Sequence, residues 1–155
     1  MISPEALRKY PFFGFLSDED FSKVATFTEE IVWEEGEALF NIHDKADQLY
    51  LLESGDVDLH YKVVDDLVSD KSKEFFVGSI NPGELIGVSA LLEPFEYTAS
   101  AVAAEQSKGF AVDGKKLMAL AKDDPKLGFA MMTQVAKFTF ERLGRVRVEL
   151  AAARN

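Results

Sequence analysis

The stretch EEGEALFNIHDKADQLYLLESGDVDLHY, Glu34 to Tyr61, decides the fold. It breaks at Gly36 and again at Gly55, and around these glycines apolar residues recur with period two. That period puts successive side chains on opposite faces of an extended chain, which predicts strands with one buried face. The pattern continues outward on both sides. EEIVWEE (29–35) precedes it; KEFFVGSI (73–80), YTASAVAA (97–104) and KGFAVD (108–113) follow, punctuated by Pro82-Gly83 and Gly114. Several short runs at intervals of roughly 8–12 residues predict an all-β sandwich or roll. The polar segment DDLVSDKSK (65–73) reads as a hairpin loop that tolerates length change. ELIGVSALLEP (84–94), flanked by glycine and proline, predicts a helix of one or two turns between two strands.

On either side of this region the period becomes helical. SDEDFSKVATF (17–27) opens on Ser17, a good N-cap, with Asp20 three residues on in a near capping box. An earlier helical turn starts at Ser3-Pro4, proline being favoured at the first helical position. Lys115 to Lys122 makes one short helix. Asp124-Pro125 starts another that runs to about Ala153, roughly 28 residues or ~42 Å. Along it Phe129, Met132, Ala136, Thr139, Leu143, Val146 and Leu150 alternate spacings of 3 and 4, a coiled-coil seam. Met131, Val135 and Phe138 form a second apolar face directed at the strands. Two apolar stripes are more than a small roll covers. Homodimerisation through 129–150 is the simplest solution, with Ala136 and Thr139 making the seam a modest one; packing within the chain is the other.

A length of 155 residues suits one domain with a real core: residues 1–123 as the roll with its helical N-terminus, and 124–155 as the long helix. Thirteen Phe point to aromatic packing in that core. There are no cysteines, which excludes disulfides and thiolate metal sites and weakly favours a reducing, cytoplasmic setting. No apolar run reaches the ~20 residues of a membrane span, and MISPEALRKYPFF lacks the pattern of a signal peptide. The net charge of −10 suits nucleic acid poorly. Residues 124–155 carry six basic and three acidic side chains, +3, so the first 123 carry −13; a basic helix complements an acidic body.

Taken together, PFFGFLSDEDFSKVA, the 34–61 stretch and PGELIGVSALLEPFEYTASAVA resemble the cyclic-nucleotide-binding fold of catabolite-activator-type and fumarate-nitrate-regulator-like sensors, over nearly the whole chain. Gly36, Gly55, Gly83 and Gly87 fall where that family uses glycine. The resemblance implies a mainly β, jelly-roll (double-stranded β-helix, cupin-like) fold with short N-terminal helices and a long C-terminal helix. It also locates the phosphate-binding cassette. There the family follows a glycine with a Glu for the ribose hydroxyl, offers backbone N–H groups to the cyclic phosphate, and neutralises it with an Arg. This chain keeps Gly87, Ser89, Ala90, Leu91 and Leu92, but Val88 replaces the Glu. Tyr97, or Thr98 if the turn is one residue longer, replaces the Arg; Glu93 and Glu96 nearby are anionic. Tyr97 either fills the vacated pocket or offers its hydroxyl to a different ligand. Arg142, about where relatives contact the base, either reaches the cavity or lies on the surface, the favoured account.

Only two histidines exist, His43 and His60, without the His-x-His of metal-binding cupins, so no metal or other cofactor is expected. Haem held by histidine, as in some gas-sensing relatives, requires His60 to face the interior and is a remote alternative. His43 replaces a turn glycine, where positive φ is often needed. No Gly-x-Ser-x-Gly elbow is present, and an enzyme is not expected. The helix-turn-helix that follows the long helix in catabolite activators is absent from these residues, and no DNA binding is expected. The expectation is a dimeric sensor of an unknown small molecule with a degenerate cassette; a ligand-free scaffold module is the alternative.

Overall fold

The computed structural model describes residues 1–64 and 72–154; the expected hairpin loop lies largely outside the described residues. Among the described residues eight strands form two four-stranded antiparallel sheets. The first contains β1 (Thr28–Trp33), β8 (Ser107–Asp113), β3 (Gln48–Ser54) and β6 (Leu85–Ile86), in that order. The second contains β2 (Ala38–Phe40), β7 (Ser100–Ala103), β4 (Val57–Val64) and β5 (Ser72–Ile80). This is the jelly roll implied above.

The period-two runs read from the sequence form the strands that close the roll, although β8 is buried continuously from Gly109 to Val112 instead of alternately. Leu49 and Leu51 on β3, Val57 on β4, and Phe110 and Val112 on β8 are buried. Between the sheets runs an aromatic row: Trp33 meets Tyr50 edge-on at 5.6 Å, and Phe40 stacks on Tyr97 at 3.7 Å. Offset stacking and edge contacts of this kind add to the area that such rings bury. At the β3–β4 turn Gly55 has φ +100°, and a Cβ there would sit 2.2 Å from Ser107 Oγ. Only glycine fits.

Helix α1 (Pro4–Arg8) starts from Ser3, and a 3-10 turn at Pro11–Phe13 follows. Helix α2 (Asp18–Thr26) has a full capping box: Ser17 Oγ accepts from the Asp20 N–H, and the Asp20 carboxylate accepts from the Ser17 N–H. These segments put Leu7, Phe13 and Val24, all fully buried, over one end of the roll. Helix α3 is Gly114–Asp123 and α4 is Pro125–Ala153, capped by Asp124 through its carboxylate. On α4, Met131 and Val135 are buried against the core, and Phe138 is partly so. No helix among the described residues is long and apolar enough to cross a membrane.

Candidate functional site

Gly87 leaves β6 in the left-handed conformation, φ +82°, and the chain then winds through a 3-10 turn, Val88–Leu91. The Ala90 N–H donates to the Gly87 carbonyl at 3.0 Å, and the Leu92 N–H to that of Ser89 at 3.2 Å. The segment beyond is pinned to the β2–β3 connection by backbone hydrogen bonds. The Tyr97 N–H donates to Asp44, the His43 N–H to Tyr97 and the Ala46 N–H to Phe95. His43 takes φ +74°, the glycine-like conformation its position suggested.

Beneath this turn lies an open cavity of about 320 Å³, enclosed on the far side by α4. Gly87, Val88, Ser89, Tyr97, Thr98, Phe138 and Arg142 all line it; Ala90 and Leu91 are buried behind it. The structure adds Phe40, Leu59, Leu85, Ile86, Leu92, Ala99 and Thr139 to the walls. The surface is therefore mainly apolar. Thr139 belongs to the expected seam as well as to the cavity, and its hydroxyl donates to the Val135 carbonyl at 2.8 Å.

The Tyr97 hydroxyl is committed elsewhere. It donates to the Gln48 carbonyl at 2.7 Å and accepts from the Gln48 N–H at 3.3 Å. Burial raises its pKa, only partly offset by the backbone hydrogen bond. The ring forms wall without filling the space. Val88 presents an alkyl group to the cavity, and Glu93 and Glu96 are exposed and do not line it.

Arg142 departs from the surface position favoured for it. Its side chain is 27% exposed, and its guanidinium carbon stands 5.1 Å over the Phe138 ring. Nε and Nη2 are both buried without a hydrogen-bond partner. The nearest carboxylate, Glu84, is 3.9 Å from Nη2, an ion pair without a hydrogen bond. Glu84 is engaged instead by Arg145, at 3.0 and 3.4 Å, and by the Asn81 N–H at 2.9 Å. Burial draws the Arg142 pKa down, with Glu84 opposing. For Glu84, burial alone pushes upward. The Arg145 and Asn81 hydrogen bonds and both arginine charges outweigh it and hold the carboxyl below its ordinary value. Glu84 and Arg145 were missed in the sequence. A signal existed: Arg142 continues the Met131, Val135, Phe138 stripe at spacings 4, 3 and 4, so it shares their inward face.

His60 packs edge-on against the exposed Phe76 at 6.0 Å, and neither histidine lines the cavity. Among the described residues no group of three or more His, Asp or Glu is placed to hold a metal. Along the expected seam Phe129, Leu143, Val146 and Leu150 are exposed, while Met132 packs partly on the core; Phe140 and Val148 are exposed outside the seam.

Comparison with known proteins agrees with this architecture. Residues 30–124 match the family profile described as "Cyclic nucleotide-binding domain". The cyclic AMP receptor protein of Thermus thermophilus is 27% identical over 127 residues, 82% of this chain; the chain spans 56% of that relative's length. A candidate cyclic nucleotide-binding protein from Geobacter metallireducens GS-15 superposes with a TM-score of 0.79 at 36% identity, covering 92% of this chain and 99% of that one. The N-terminal domain of a transcriptional regulator from Streptomyces coelicolor gives 0.66 at 27% identity, covering 88% and 93%.

Proposed function

The chain belongs to the cyclic nucleotide-binding domain family, and from that premise we propose that it is a non-catalytic ligand-sensing domain whose pocket takes a small molecule other than a standard cyclic nucleotide, or takes one only weakly. One observation supports the reading: the cavity under Gly87–Ser89 is open, while Val88 and Tyr97 or Thr98, the residues that the resemblance aligns with the family's ribose acceptor and phosphate cation, line it without a charge. A plugged pocket would favour the scaffold alternative instead. A charge-assisted contact to phosphate is worth roughly 1.5–3 kcal/mol. Without it and the ribose contact, affinity falls by about two to four decades at ~1.4 kcal/mol each.

The output runs through α4. Phe138, Thr139 and Arg142 are cavity wall and helix at once, so a ligand that prefers one placement of α4 shifts the population toward it. The exposed apolar residues between Phe129 and Leu150 support a homodimer through this helix. A net charge of −10 argues against DNA contact by these residues, which a gel shift persisting in moderate salt would overturn.

Calorimetric titration with cyclic AMP and cyclic GMP tests the reading. No saturable binding below the high micromolar range is expected. A submicromolar constant for either nucleotide refutes it.

A further inference from the structure

Arg142 is a cation in search of an anion. Its guanidinium keeps its charge at any ordinary pH. A buried charge is costly unless paired and hydrogen-bonded. Yet Nε and Nη2 have no partner, and the one nearby carboxylate is 3.9 Å away and already held by Arg145 and the Asn81 N–H. Phe138 supports one face of the guanidinium; Nε and Nη2 are buried, so an anion in the cavity reaches them through a turn of the Arg142 side chain away from Glu84. The rest of the cavity is largely hydrocarbon: Leu59, Ile86, Val88 and Phe138 face the same space. At about 320 Å³ the cavity lies at the small end of ligand pockets.

We propose that the cavity receives a small apolar acid: a single carboxylate on an apolar body, the carboxylate held by the Arg142 fork and the body lying against Val88, Leu59 and Ile86. This rests on the ligand-sensing reading and supplies its ligand class. A planar carboxylate matches the guanidinium edge with two parallel hydrogen bonds, which a sugar hydroxyl does not. A dianion fits less well, because among the described residues Arg142 is the only cation on the cavity wall, and Glu84 stands beside it. The charged contact is therefore made to the long helix, opposite the cassette turn.

The test is a titration followed by amide chemical shifts, using 4-phenylbutyrate and octanoate against 4-phenyl-1-butanol and 1-octanol. Each acid is expected to shift the amides of Ser89, Phe138 and Thr139 and to bind about ten-fold or more tighter than its alcohol, the scale of one charge-assisted contact. Arg142→Gln should erase that preference while leaving alcohol binding in place. Arg142→Lys, which keeps the charge without the fork, should retain part of it. Glu84→Gln, which removes the competing carboxylate, should raise acid affinity and guards against a misfolded Arg142 variant. Equal binding of acid and alcohol, or a preference that persists in Arg142→Gln, overturns the inference and leaves a ligand-sensing cavity standing. If the acids leave those amides unmoved the inference also falls. The sensing reading falls with it only if the alcohols and cyclic nucleotides leave them unmoved too.

Discussion

At Gly87 two demands meet in one residue: a left-handed backbone, φ +82°, and a position where a Cβ would approach Tyr97 Cε1 at 3.0 Å and the Gln48 carbonyl at 3.2 Å. Gly87→Ala is expected to cost about 1–3 kcal/mol, read as a lower urea midpoint at unchanged slope. Tyr97→Phe keeps the stack on Phe40 but strips the Gln48 backbone of its partner, at about 1–2 kcal/mol in the same assay. Glu84 gives a pH signature. Its carboxyl titrates below its ordinary value of ~4.3, so its contribution is fully present above that pH and is lost as pH falls through the lowered value. The melting temperature of the wild type should exceed that of Glu84→Gln at pH 7, by the equivalent of about 0.5–1 kcal/mol, and the two should converge as the pH falls below the lowered value. A difference that grows on acidification contradicts this account. The glycine turns and the glycine-like turn at His43 were legible in the sequence because they act through backbone geometry. The inward face of Arg142 was open to a reading of its spacing from Phe138, but its unpaired state beside Glu84 was not, because that carboxylate lies 58 positions away.

At the scale of elements, α4 divides lengthwise into a half that the roll covers and a half that it does not. Met131 and Val135 are buried, and Met131→Ala should cost about 2–5 kcal/mol of stability in denaturant. Leu143 and Val146 are exposed at 43% and 44%, so charge there should leave the fold intact. Leu143→Glu with Val146→Glu is expected to convert a dimer to a monomer in sedimentation equilibrium with little change in melting temperature at matched oligomeric state. A monomeric wild type contradicts the seam. Element identity was the most legible level: strand alternation, the Ser17–Asp20 box and the Asp124-Pro125 start all appear in the structure where the spacing put them. Which strands pair was not open to periodicity. The order β1-β8-β3-β6 joins residues far apart in the chain; the family resemblance implied a jelly roll but no strand order.

At the scale of the molecule, the roll and α4 hold the cavity between them, and polar groups tie them across it. Glu84, at the turn into β6, grips Arg145 one helical turn beyond Arg142, so the acidic body and the basic helix meet at a single carboxylate. An anion that takes Arg142 leaves Glu84 to Arg145 alone, and the helix settles on a different set of contacts without leaving the roll. Past Arg142 every residue of α4 is exposed or nearly so as far as Arg154. Mechanically that free end is a lever arm with its fulcrum at the cavity. The eleven residues of α4 beyond Arg142 reach roughly 17 Å at ~1.5 Å each, so a 10° tilt at the fulcrum carries the tip about 3 Å sideways. A ligand that changes the seating of α4 at the cavity would thus be felt outside the domain as a displacement wide enough for a neighbouring surface to distinguish.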